Sequence, residues 1–162
     1  MLKYNKQDLV HQLVQHEGLV LKVYQDSLGI DTIGIGRNLT HRGIAEAELA
    51  YMNKTMPYIY EYGIIKEDAY FLAHNDIEIV EQELCRQHSI VNELDAIRQR
   101  VLVDMAFNIG TPRLNTFILM WKALNNKDFS RAAIEMKDSR WARQVKSRAD
   151  NLAYAMEHGK FV

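Results

Sequence analysis

The chain contains one cysteine, Cys85, so it cannot close an internal disulfide and is not a disulfide-stapled secreted fold; the composition suits a reducing cytosol. Proline is nearly as scarce. Pro57 and Pro112 are the only two, and each is expected to stop a helical pattern. No charge of one sign predominates: 20 basic side chains against 21 acidic ones leave a formal charge of -1, which provides no whole-protein field for nucleic acid. No apolar run is long enough to span a bilayer. Lys6, Gln7, Asp8, His11 and Gln12 interrupt the opening segment, so neither a signal peptide nor stable membrane insertion is expected. The six histidines form no HxxxH pattern and the chain has no CxxC, which argues against a metal site. Gly34-Ile35-Gly36 lacks the third glycine of a dinucleotide fingerprint, with Leu39 in its place, and no cofactor is expected. Internal repeats, low-complexity runs, flexible linkers and a G-x-S-x-G nucleophile motif are absent as well.

What is present reads as an ordinary globular chain, 48% hydrophobic and 25% charged, long enough for one sizeable core or two small lobes sharing a helix. Asn5 is the expected N-cap of a helix that repeats Leu9, Val10, Leu13 and Val14 on one face and stops at Gly18. Residues 20–25 and 30–35 alternate as short strands about a turn at 26–29. Helical spacing returns over 44–56 and is expected to end at Pro57. The longest helix is predicted over 66–87, through Ala69, Leu72, Ala73, Ile77, Val80 and Leu84. Ile65 offers it no capping oxygen, which Glu67 and Asp68 in the first turn partly offset. Asn92 and Asp95 open a strongly apolar helix that ends at Gly110 and Pro112, and further helices are predicted over 116–125, 128–137 and 147–158. The fold class is therefore α+β, mostly helical, with a small antiparallel sheet near the N-terminus. Asp104 lies close to an apolar stripe and needs a partner if buried.

Three residues at the start of the chain combine into a chemistry. Glu17 falls where the first helix breaks, Asp26 in the turn and Thr32 in the second strand. One carboxyl to protonate a leaving oxygen, a second to steer a water or attack a sugar, and a hydroxyl to hold that water are the parts of a glycoside-hydrolysing site. The negative end of a helix opposes ionisation of Glu17, and a general acid must hold its proton. Each residue alone has a plain reading, as a solvated helix-end glutamate or a backbone-bonding turn aspartate; the conjunction points to catalysis. Asp31 is a third carboxylate, but regular strand alternation turns it away from Thr32, so Asp26 is the preferred partner.

The segment from His16 to Thr40, with Glu17-Gly18, Asp26 and Thr32-Ile33-Gly34-Ile35-Gly36, resembles the phage-type lysozymes, and Ser139-Arg140-Trp141 extends the resemblance. It implies a two-lobed lysozyme domain over 1–162: a sheet-containing lobe at 18–65, a connecting helix at 66–87, and a helical lobe of 1–17 with 88–162. It also implies an inverting muramidase that cuts the β-1,4 link between N-acetylmuramic acid and N-acetylglucosamine, with Glu17, Asp26 and Thr32 as its catalytic residues. Asn38, Phe107, Asn108 and Arg148 are the substrate-binding candidates. Phe107-Asn108-Ile109-Gly110 resembles a cleft-lining segment, and an arginine at the Arg148 position helps hold the second lobe against the glutamate in the family. Asn38, Met120 and Glu135 depart from the family's best-known member. In that member the position of Arg37 is a histidine paired with an aspartate on the long helix. The matching residue here is Asp76, so an Arg37–Asp76 ion pair is expected, without a histidine's titration.

Other features carry weaker expectations. Arg140, Arg143, Lys146 and Arg148 form the densest positive patch, suited to stem-peptide carboxylates. Trp141 reads as core, and Tyr58, Tyr60 and Tyr62 chiefly as partly buried packing. The expected partner is bacterial peptidoglycan, met as a monomer after a holin releases the protein from the host cytoplasm to the wall. A lytic transglycosylase, which needs a single acid, and a non-catalytic wall-binding or tail-associated module are the alternatives.

Overall fold

The Asn5 side-chain oxygen accepts from the Gln7 amide at 2.8 Å and opens α1 (Lys6–Glu17). Along that helix Leu9, Val10 and Leu13 are fully buried. Gly18 ends it, taking φ +79° and donating its amide to the Val14 carbonyl at 2.9 Å. The computed structural model describes residues 1–162, and the chain divides into two compact units: Val10–Asp76, and Met1–Leu9 with Ile77–Val162. No helix is long and apolar enough to cross a membrane.

In the unit Val10–Asp76, β1 (Val20–Gln25), β2 (Asp31–Gly34) and β3 (Arg37–Asn38) form an antiparallel sheet in the order β1-β2-β3. The first two are the predicted strands. The third, only two residues long, is too short to leave a periodic trace. Between Val20 and Tyr24 the register shifts through a bulge, and there the Leu21 carbonyl accepts from the Ile64 amide at 2.8 Å. Two short helices follow, α2 (Glu46–Met52) and α3 (Met56–Tyr62), in place of one helix ending at Pro57. Asn53 turns left-handed at φ +53° and closes α2, whereas Pro57 lies in the first turn of α3 behind the Thr55 cap. Proline there starts a helix because its missing N–H has no partner to lose. The tyrosines of α3 are more exposed than expected: Tyr58, Tyr60 and Tyr62 are 47%, 50% and 63% exposed, with the Tyr58 and Tyr62 rings 4.9 Å apart. The core of this unit gathers Ile33, Leu39, Met52, Ile59, Ile64, Ala69 and Leu72. Each of its larger side chains contributes about 1.5–3 kcal/mol by leaving water.

Helix α4 (Lys66–Gln87) has the predicted bounds. With no side-chain oxygen at Ile65, Asp68 reaches back to accept from the Ile65 amide at 3.1 Å, and Lys54 pairs with the same carboxylate oxygen at 2.8 Å.

In the other unit, a short 3-10 turn (Ser89–Glu93) holds Asn92, so Asp95 alone caps α5 (Ala96–Ile109), accepting from the Ile97 and Arg98 amides, each at 3.0 Å. Val101, Leu102, Val103 and Met105 are all 0% exposed, so α5 is buried around its circumference. Then come α6 (Thr111–Leu114), with Pro112 in its first turn, α7 (Ile118–Asn125), α8 (Phe129–Lys137), α9 (Arg140–Val145) and α10 (Ser147–His158). Asp128 caps α8 and Ser139 caps α9. Trp141 is core as expected, 1% exposed, and Met120, Leu124, Met136, Leu152 and Met156 of the same unit are fully buried.

Candidate active site

Glu17 is the last residue of α1 and half-buried. Gly36 forms one wall beside it. A β-carbon added there would lie 3.3 Å from Glu17 Oε2 and 3.5 Å from its Cβ and Cδ, and Gly36 itself has φ +67°. A side chain there would strain the backbone and crowd the carboxylate.

The sheet supplies the opposing groups. Tyr24 pairs with Thr32, and Thr32 pairs with Asn38, so these three side chains form a row across one face. Asp31, paired with Gln25, turns to the other face, where its Oδ2 accepts from the Tyr60 hydroxyl at 2.9 Å. Asp26 follows β1 directly. Its Oδ1 accepts from the Leu28 and Ile30 amides at 2.8 and 3.0 Å, which fixes the side chain over the turn and leaves Oδ2 to other work. Thr32 is buried and its hydroxyl donates to the Ile30 carbonyl at 2.9 Å, so towards a ligand this oxygen can only accept. Tyr24 ties the set together. Burial raises its phenol above the ordinary value, and the charges of Glu17 and then Asp26 raise it further, so both carboxylates act on one ring that stands opposite Thr32. Sequence reasoning missed Tyr24, although its position two residues before Asp26 in an alternating strand was a usable signal.

Between β3 and α4, the expected Arg37–Asp76 pair forms at 2.8 Å, as part of a larger lattice. Arg37 is 2% exposed and uses all five N–H donors: Nη1 and Nη2 fork onto Glu48 at 2.9 and 3.0 Å, Nε meets Asp76, and the Gly43 and Leu72 carbonyls accept at 3.0 and 3.1 Å. Burial alone would raise Glu48, but donation from Arg37, Asn75 and the Ala45 amide outweighs it and holds the carboxyl down to about 2. Burial raises Asp76 above its ordinary value against the pull of Arg37 and Arg42.

The remaining candidates lie in the other unit, except for Asn38, whose Oδ1 caps a turn through the Thr40 and His41 amides. Phe107 is half-buried near the end of α5. Asn108 Oδ1 accepts from Trp141 Nε1 at 2.8 Å. Arg148 is buried and supplies the partner that Asp104 requires, with Nε and Nη2 at 3.0 and 2.9 Å from Asp104 Oδ1. Arg148 therefore does not belong to a surface patch; Arg140, Arg143 and Lys146 are the exposed cations there. A cavity of about 420 Å³ is lined by Arg113, Phe117, Met120, Glu135, Arg140 and Trp141, among others. No group of three or more His, Cys, Asp or Glu side chains is arranged to hold a metal ion.

A mostly helical α+β chain with a three-stranded antiparallel sheet near its N-terminus belongs to the lysozyme-like class of folds. The phage lysozyme family model matches residues 14–154, and the chain belongs to that family of glycoside hydrolases. It is 30% identical to a probable T4-type lysozyme 2 of Dictyostelium discoideum over 93% of this chain and 94% of that protein. It is 26% identical to a probable T4-type lysozyme 1 of the same organism, over 88% and 89%. Against the pre-baseplate central spike protein Gp5 of Enterobacteria phage T4 it is 29% identical over 89% of this chain, which spans 26% of that longer protein.

Proposed function

We propose that the chain is an endolysin-type muramidase that hydrolyses the β-1,4 bond between N-acetylmuramic acid and N-acetylglucosamine, with inversion, during lysis of a bacterial host. What supports this reading is that the charges of Glu17 and Asp26 both raise the Tyr24 phenol and that Tyr24 is the cross-strand partner of Thr32. Glu17 donates its proton to the leaving oxygen. A water gives one hydrogen to Thr32, whose own hydrogen is committed to Ile30, and its other to Asp26 Oδ2 as the base, which aims an oxygen lone pair at the anomeric carbon. The inverting geometry calls for carboxyl groups roughly 6.5 to 9.5 Å apart. Asn38, paired with Thr32 across the sheet, is the accompanying substrate-side residue, and the exposed Arg140, Arg143 and Lys146 favour the anionic stem peptide. Peptidoglycan is the partner of a monomeric enzyme that a holin releases from the host cytoplasm to the wall.

The test is a turbidity assay on cells stripped of their outer membrane, with wild type, Glu17→Gln, Asp26→Asn and Asp31→Asn side by side. The first two variants are expected to lose at least about a hundredfold in activity, and Asp31→Asn to keep it. A dead Asp31→Asn with a live Asp26→Asn overturns the choice of base. Mass spectrometry of the products reads the reaction itself: reducing ends for hydrolysis, anhydro ends for a transglycosylase.

A further inference from the structure

The five-donor lattice on Arg37 sits one residue from Gly36, the wall of the catalytic glutamate. Gly36 precedes Arg37 in the chain, and it lies near enough to Glu17 that a β-carbon on it would come within 3.3 Å of Glu17 Oε2. Arg37 pairs with Ile33 in the β2–β3 ladder, the neighbouring pair joins Thr32 to Asn38, and the Leu39 amide returns to the Asp31 carbonyl at 2.8 Å. Whatever holds Arg37 thus fixes both the surface against the acid and the strand that bears Thr32. Three elements hold it: Glu48 from α2, Asp76 and the Leu72 carbonyl from α4, and the Gly43 carbonyl from the intervening loop. A buried arginine in that setting has a single available position.

We propose that Arg37, locked by Glu48 and Asp76, is a positioning residue that holds Gly36 beside Glu17 and so sets the orientation of the acid. The proposal rests on the muramidase reading of Glu17. Arg37 touches no substrate; it acts through one peptide unit. Freed from its fork, the 34–38 hairpin gains room to shift, and misplacement on the scale of an ångström degrades proton delivery while leaving the sugar's other contacts in place.

The experiment compares wild type with Arg37→Lys, the milder Glu48→Gln, and Ile59→Ala, which damages the same unit's core away from this lattice. Activity on soluble peptidoglycan is measured well below each unfolding midpoint, alongside the midpoint itself. Arg37→Lys and Glu48→Gln are expected to lose about tenfold to a hundredfold in kcat with KM within about twofold, and Ile59→Ala to lose stability while keeping kcat per folded molecule. If the lattice variants keep wild-type kcat, or lose no more than Ile59→Ala at matched stability, Arg37 is merely structural. If wild type itself releases no product, the muramidase reading fails. Carboxyl ¹³C spectra of glutamate-labelled protein then decide the positioning: the Glu17 resonance moves in Arg37→Lys and Glu48→Gln but not in Ile59→Ala, and an unmoved resonance overturns it.

Discussion

The carbonyl oxygen of Leu21 faces Gly63 so closely that a β-carbon on residue 63 would lie 2.1 Å from it. The same oxygen accepts from the Ile64 amide at 2.8 Å, so the bulge in β1 and the segment after α3 are joined at one point. Gly63 holds φ +81° and ψ −155°, a region essentially reserved for glycine. Gly63→Ala is therefore expected to cost about 3 kcal/mol or more, read as a lower urea midpoint, because strain and a broken backbone bond act together. A variant of wild-type stability would show that the bulge moves freely.

Acid should weaken the protein through Glu48. Its carboxyl falls from an ordinary 4.5 to about 2 in the fold, so its contribution is complete above about pH 4.5 and is lost as pH falls through about 2. The shift corresponds to about 3 kcal/mol. Asp76 works in the opposite direction: its folded carboxyl lies above the ordinary value, so taking up that proton favours the folded state. In Glu48→Gln the loss of stability between pH 4.5 and 2 is expected to flatten, measured as urea midpoints across that window.

Tyr24 provides a spectroscopic check on the two carboxylates. Its phenol is raised first by burial, then by Glu17, then by Asp26. In ¹³C tyrosine spectra taken against pH, Glu17→Gln is expected to bring the Tyr24 midpoint down towards 10.0, and Asp26→Asn to do so by less. Asp31→Asn leaves Tyr24 alone and lowers Tyr60, whose hydroxyl donates to Asp31. A Tyr24 midpoint indifferent to both Glu17 and Asp26 removes the shared environment.

Asp104 is 0% exposed and bound to Arg148, so Asp104→Ala leaves a buried guanidinium with one counter-charge fewer. The expected cost is about 3 to 5 kcal/mol in equilibrium unfolding. A loss below 1 kcal/mol would mean that water reaches the guanidinium.

The periodic helices were legible in the sequence because burial repeats at helical spacing, and α4 and α10 have their predicted bounds. Asn5, Gly18 and Asp95 declared their roles through local backbone chemistry alone. Pro57 was misread because a proline inside a helical pattern and one in a first turn look alike; Asn53 and Thr55 decide between them, and only the fold shows Asn53 left-handed. The exposed tyrosines of α3 were misjudged because composition does not say which face of a short helix meets a core. Arg37–Asp76 came from resemblance, whereas Glu48 was invisible: its bond to Arg37 joins residues eleven apart across a loop. Arg148 counted as surface charge until its partner Asp104, 44 positions away, closed over it.

Lys146 links α9 to α10 at φ +50° and ψ −113°, and Lys127 and Asn53 also adopt positive φ, at +55° and +53°. For anyone wishing to harden the protein against heat, the usual recipe of stiffening pliable sites is inverted at Lys146. The improvement lies in removing a side chain, since glycine adopts that shape without steric strain, a gain that outweighs its greater freedom when unfolded.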